Sequence, residues 1–314
     1  VVAVVLVLAG LGFGPWTFLG NRTQKFEDGQ LYNMYNNSVV MLVGVYHFEV
    51  SIGDYDLSSS GLPTKFIAMK DNSGRMSFAD VTKASQDVIY QFSSYTATGF
   101  FVSADGKIVT NLHVAKPWLF NGVKEKIELR YKEMIGQLNP ALVSLVKVEG
   151  VLDKMYLIPQ GKYFSSENAI TCRVLSAGDD VENDIALVQS ERSELPHGCR
   201  AVNVKDSIDV NEAALTVGKH IYTIGFPFGT GLQDLKSEKG IQVLARGGSI
   251  TQATTEYSFS FDAASYQGAS GSPIFNENGM LVGVLNAGVE VSQGFNYGIK
   301  AKFVKEMLDK PFKK

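Results

Sequence analysis

The sequence predicts an all-β fold, a reading carried by two hairpin patterns and by composition. In Thr98–Thr110, two apolar runs flank an Asp105-Gly106 turn, the form of a β-hairpin. A second such pattern runs from Pro273-Ile274-Phe275 through Asn276-Glu277-Asn278-Gly279 to Met280–Leu285. The 31 glycines suit a chain rich in tight turns, and 45% hydrophobic residues over 314 positions suffice for a full core.

Taken in order, residues 1–20 carry no charged side chain and are long enough to span a bilayer, although Gly10, Gly12, Gly14 and Pro15 interrupt the second half. They read as an apolar membrane anchor or signal segment, with a buried structural segment as the alternative. An anchor places the remainder on the exported side of a membrane, tethered through residues 1–20. Residues 21–35 read as a linker. Val39–Val50 reads as the first strand, and Asp54–Asp71 as a polar loop within an insertion near 51–90. The hairpin at 98–110 delivers His113 just past a strand end.

A second insertion, near 116–150, carries Val123, Ile127, Tyr131, Met134, Ile135 and Leu138 at helical spacing with charged residues between them. This predicts an amphipathic helix ended by Pro140, either a decorated loop or a lid or partner site. Asp184 directly precedes the apolar run Ile185–Val188, so its carboxylate is expected at the mouth of a buried strand. Closing strands through Ile299 and a short helix around Phe303–Leu308 complete the chain. The division expected is an N-terminal half, 36–200, carrying His113 and Asp184, and a C-terminal half, 201–314, carrying Ser270.

The chemistry is concentrated in Gly268-Ala269-Ser270-Gly271-Ser272-Pro273. A serine flanked by small residues on a tight turn is an exposed nucleophile, and a glycine two positions earlier lets the N–H groups of Gly268 and Ser270 converge as an oxyanion hole. Upstream stand Thr110-Asn111-Leu112-His113-Val114-Ala115 and Asn183-Asp184-Ile185-Ala186-Leu187-Val188. Each residue alone reads as structural: a core histidine, a turn aspartate, a hairpin serine. Together, in the order His, Asp, Ser, they form a candidate catalytic triad of His113, Asp184 and Ser270.

At these segments, and at Gly218–Gly229, the chain resembles the trypsin-like serine proteases, specifically their HtrA/Deg-like branch. The resemblance implies two six-stranded antiparallel β-barrels with the active site in the cleft between them, and an acyl-enzyme mechanism. It implies that Ala269 replaces the aspartate which many relatives pair with a new N-terminus on zymogen cleavage. The primary substrate pocket is expected at Ala264, Ser265, Leu285 and Asn286. No acid stands there to bind Lys or Arg, and no His follows on the next strand to bind Glu, so small or medium aliphatic side chains are expected. Residues 271–314 leave room for closing strands and a short helix but not for a peptide-binding PDZ domain, so none is expected within this chain.

The net charge of −3 and the lack of a basic block interleaved with aromatics argue against nucleic-acid binding. No metal-ligand spacing, P-loop or dinucleotide fingerprint is visible, so no metal or cofactor is expected. Cys172 and Cys199 leave one disulfide or two free thiols open. Three functions follow: a serine endopeptidase acting on polypeptides, exported or membrane-tethered; a Glu-specific secreted endopeptidase of the staphylococcal type; or a protease-fold binding module without activity. The sequence gives no oligomeric state.

Overall fold

In a computed structural model, the residues described are 24–53, 65–70, 75–81, 94–120, 122–178, 180–232, 240–288 and 295–310. The apolar segment 1–20 lies outside them. No helix among the described residues is long and apolar enough to cross a membrane.

The elements, in order, are α1 (Asp28–Tyr35), β1 (Val39–Ile52), β2 (Lys65–Lys70), β3 (Met76–Asp80), β4 (Ser94–Phe101), β5 (Lys107–Thr110), α2 (Leu112–Ala115), α3 (Val123–Leu138), β6 (Val146–Pro159), β7 (Ile170–Ala177) and β8 (Ala186–Ser190). There follow β9 (His220–Gly225), β10 (Leu244–Ser249), β11 (Ser258–Phe261), β12 (Pro273–Asn276), β13 (Leu281–Gly288), β14 (Asn296–Lys300) and α4 (Ala301–Asp309).

The first sheet runs β3-β2-β1-β4-β5-β8-β7-β6, and β6 pairs back onto β1, which closes six of its strands into an antiparallel barrel. The second sheet is six-stranded, in the order β10-β9-β12-β13-β14-β11, with its edges brought together by a single bridge between Ile250 and Phe261. The mostly β, two-barrel expectation therefore holds, with one barrel closed by a full ladder and the other by one bridge.

Strand β1 shows why its sequence is a continuous apolar run. Val40 and Leu42 point into the first barrel among Phe101, Ile108, Leu157 and Val188, while Met41 and Val43 point outward into a cluster shared with Ile224, Phe226 and Phe275 of the second sheet. A strand buried on both faces has no polar face to show. That shared cluster joins the two halves along the line where the site lies.

Three expectations are corrected. The 21–35 linker contains α1, whose Leu31 and Tyr35 are buried against the second sheet; the Tyr35 ring stacks on Phe275 at 4.0 Å and its hydroxyl donates to Gly279 O at 2.6 Å. Within the stretch expected as polar loop, β2 pairs with β1 (Glu49 opposite Ile67), and β3, farther along the 51–90 insertion, pairs with β2 to form a hairpin wing on the first barrel. The second insertion also ends earlier than expected, because β6 begins at Val146 and pairs with β1 from Pro159 to Val146.

Helix α3 forms as expected and stops before Pro140, burying Ile127, Tyr131 and Ile135 against Phe48 and Val50 of β1 and Val148 of β6, with Phe66 and Phe78 of the wing packed on the same cluster. Met134 and Leu138 stay exposed, so the apolar stripe is narrower than the spacing suggested. The wing and α3 share a small core of their own, apart from both barrel interiors.

Cys172 and Cys199 are free thiols packed with the interior of the first barrel. Burial pushes Cys172 up to about 12 and Cys199 up to about 11, so neither is a thiolate near neutrality. Ellman's reagent is expected to leave both untouched in the native protein at pH 8 and to react with both in denaturant. Rapid reaction of either thiol in the native protein would contradict this packing.

Candidate active site

The β4–β5 hairpin is the common scaffold of the site. Its turn places Gly106 at φ +74°, and its second strand ends at Thr110, three positions before His113 on α2. The end of α2 is held from below, because the Tyr95 hydroxyl donates to Val114 O. Burial raises the Tyr95 phenol above its ordinary range, so it remains a donor.

Asp184 is fully buried, at 0% exposure, at the start of the run into β8, as its sequence context predicted. Its carboxylate faces His113 twice. Oδ1 accepts from the His113 backbone N–H at 2.8 Å, and Oδ2 lies 2.7 Å from His113 Nδ1. The Asn111 side chain donates to Asp184 O at 2.9 Å, pinning the aspartate backbone to the residue before α2. A buried carboxylate is tolerable only when such donors replace water.

The loop carrying Ser270 is held by the other strand of the same hairpin. The Thr98 backbone N–H donates to Ser270 O at 2.8 Å, and Thr98 Oγ1 donates to Gly268 O at 2.8 Å while accepting from Phe226 N at 3.0 Å. Thr110 Oγ1 donates to Thr98 O at 2.8 Å. One hairpin thereby fixes the position of Ser270 relative to His113. With the Gly268 and Ser270 carbonyls both held, their N–H groups donate to no partner among the described residues.

Glycine is required twice in this loop. Gly268 sits at φ +97°, where an added Cβ would lie 2.6 Å from Phe226 O; Gly271 sits at φ +89°, with its Cβ 2.0 Å from Thr98 O. The first contact would push the loop off the segment that follows β9, the second off β4.

The Ser270 hydroxyl donates to Asn286 O at 2.8 Å, and no hydrogen bond joins it to His113 among the described residues. Of the expected pocket residues, Ala264, Ser265 and Asn286 are half-buried, whereas Leu285 is a core residue of the second barrel beside Ala263 and Ala269. No cluster able to hold a metal ion occurs among the described residues.

Sequence reasoning quoted Thr98 and Asn111 within motifs without giving either a role. It passed over Phe120, whose ring meets the His113 ring edge-on with centroids 5.7 Å apart. Two residues before it, Trp118 lies against Gly150 so closely that an added Cβ there would meet its ring at 2.1 Å.

Residues 97–284 match the family profile of the trypsin-like peptidase domain. The chain is 34% identical over 122 residues to the periplasmic serine endoprotease DegP of Escherichia coli strain K12, covering 39% of this chain and 23% of that one. It is 36% identical over 122 residues to a probable periplasmic serine protease do/HhoA-like of Haemophilus influenzae, covering 39% and 24%. The chain thus spans less than a quarter of these relatives' length. Among solved structures, an HtrA-type protease AlgW with decapeptide superposes with a TM-score of 0.48 at 17% identity, covering 90% of this chain and 66% of that one. The serine endoprotease from Yersinia pestis superposes with a TM-score of 0.49 at 14% identity, with the same coverage.

Proposed function

This chain belongs to the trypsin-like peptidase domain family, and we propose that it is a serine endopeptidase of the HtrA/Deg type, hydrolysing polypeptides through His113, Asp184 and Ser270. The observation that carries the reading is the paired contact of buried Asp184 with His113, on the hairpin that also holds the Ser270 loop. An ionised carboxylate can only accept, so it keeps the proton on Nδ1 and leaves the Nε2 lone pair free as the base.

Attack requires the Ser270 hydroxyl to turn about χ1 from Asn286 O to Nε2 of His113. His113 then takes the serine proton as Oγ bonds to the scissile carbonyl carbon, and returns it to the leaving amine as the C–N bond breaks. The Gly268 and Ser270 N–H groups stabilise the oxyanion, each worth about 3 to 4 kcal/mol. Water repeats the sequence on the acyl-enzyme. The names of the periplasmic relatives favour export of this protein as well.

A fluorophosphonate probe followed by peptide mapping tests the assignment: adduct on Ser270 is expected, and adduct on another serine would displace it. For the primary pocket, Ala264 and Ser265 offer no charge to a Lys, Arg or Glu side chain, whereas burying an aliphatic one is worth about 1.5 to 3 kcal/mol. A peptide library is therefore expected to show Val, Ala, Ile or Leu before the scissile bond at least tenfold over Lys, Arg and Glu. Dominant cleavage after Glu or Arg would show that other residues form the pocket.

A further inference from the structure

Strand β6 carries one residue more than β1 along their shared ladder. Val45 is opposite Lys154 and Tyr46 is opposite Leu152, so Asp153 forms a β-bulge with no residue of β1 facing it. A bulge bends its strand locally, and whatever holds the extra residue decides where the bend sits. Asp153 is held by His47, whose Nδ1 lies 2.8 Å from Asp153 Oδ2. His47 is buried, at 8% exposure, and its other ring nitrogen makes no hydrogen bond; Oε1 of Glu49 stands 3.6 Å from that Nε2.

Glu49 is fixed in turn by Lys65 of β2, whose Nζ lies 2.6 Å from Oε2. Against the cost of its burial, Lys65 and then His47 hold the Glu49 carboxyl below its ordinary range. The other charges on this face are Glu149 and Lys147 of β6, opposite Glu49 and Ser51, and Lys154, opposite Val45. Helix α3 packs on the reverse face, against Phe48 and Val50.

An imidazole set between two carboxylates has one favourable state. With a proton on each nitrogen it donates to Asp153 and places its charge beside Glu49. With the Nε2 proton gone, a lone pair faces an anion in a buried position, acceptor against acceptor. The proton therefore decides how firmly the bulge is held.

The bulge borders the candidate site. Tyr46, at the register shift, turns to the reverse face of β1, where its ring centroid lies 5.9 Å from that of Tyr95 and 6.1 Å from that of Trp118. Tyr95 donates to Val114 O, next to His113 on α2, and Trp118 is two residues before Phe120, whose ring meets His113. Gly44 of β1 is opposite Tyr95 and backs its ring so closely that an added Cβ would lie 2.1 Å from it. A shift of β1 at Tyr46 must move Tyr95.

We propose that His47, Asp153 and Glu49 form a proton-operated latch: protonated His47 holds the β6 bulge at Tyr46, and the held bulge keeps Tyr95 and Trp118 where they place α2 and His113. The effect on activity rests on the peptidase reading above. The latch is closed at low pH and opens as the pH rises through the His47 midpoint. His113 runs the other way, since it acts as a base only when neutral.

The test compares kcat/KM of His47→Gln with that of wild type across the pH range in which histidine titrates, a ratio in which the titration of His113 cancels. Glutamine can donate to Asp153 but offers no charge to Glu49. The ratio is expected to be about one third or less where wild-type His47 is protonated and to rise to about one above its midpoint, followed separately in nitrogen-15 spectra of the ring. Backbone amide exchange over Val45–Phe48 in wild type is expected to quicken at that same midpoint. Asp153→Asn, which removes one anion, is expected to lower the midpoint by about one unit and to carry the exchange transition with it. It serves where His47→Gln does not fold.

A ratio that ignores pH while wild type hydrolyses peptide would overturn the latch and spare the peptidase reading. Exchange that does not follow the His47 titration, in wild type or in Asp153→Asn, would overturn the latch too. Failure of wild type to hydrolyse peptide or to take a fluorophosphonate would overturn the peptidase reading and the effect on activity with it, and the exchange transition would then decide the latch by itself.

Discussion

Ser270→Ala is expected to lower kcat for peptide hydrolysis by about six orders of magnitude, the loss found when the nucleophile of a serine triad is removed. Residual turnover would come from the oxyanion donors and substrate binding alone. The fold is expected to survive, because the side chain makes one hydrogen bond, to Asn286 O, and the loop's attachment to β4 runs through the Ser270 and Gly268 carbonyls. Surface-level changes of this kind stay within about 0.5 kcal/mol. A melting temperature close to wild type, with loss of fluorophosphonate labelling, completes the expected result. Activity within tenfold of wild type would place the nucleophile elsewhere.

The candidate triad could be proposed from sequence because its residue types and order are rare together, and because each residue stands near a strand end that local pattern reveals. The hairpins were legible for a related reason: Gly106 and Gly279 adopt positive φ, at +74° and +71°, which the turn demands and the sequence advertises. What failed were elements whose identity depends on distant partners. β6 carries Lys147, Glu149, Asp153 and Lys154 along its length, and is a strand because β1 lies beside it from end to end. α1 has just two buried residues, Leu31 and Tyr35, one helical turn apart, too short a pattern to stand out until the second sheet covers them.

The same limit explains the missed positioning residues. Thr98 acts on Gly268 across 170 positions, and Asn111 on Asp184 across 73, in both cases through a backbone carbonyl. Every residue has a carbonyl, so no side-chain pattern at the receiving end betrays the contact. Leu285, expected at the pocket because it follows the Ser270 hairpin, packs with Val282, Ala263 and Ala269 in the second barrel, beyond the irregularity in the β12–β13 register that no local pattern announces.

Asp184→Asn is expected to cut kcat by about four orders of magnitude with little change in KM. The geometry gives the reason. The carboxylate meets two groups of His113 at once, the backbone N–H through Oδ1 and the ring Nδ1 through Oδ2. A carboxamide has one acceptor and one donor end. The backbone N–H is permanently a donor, so the amide oxygen must face it, and the NH₂ then faces Nδ1. Nδ1 must become the acceptor, which moves the proton to Nε2 and leaves no base for Ser270. The opposite orientation sets two donors against each other at a site with 0% exposure, where an unmade hydrogen bond costs about 1 to 3 kcal/mol. The side chain therefore cannot escape by flipping. Nitrogen-15 spectra of the His113 ring are expected to show the proton on Nδ1 in wild type and on Nε2 in the variant. Loss of activity with the proton still on Nδ1 would mean that Asp184 acts by charge alone, and unchanged kcat would remove it from the triad.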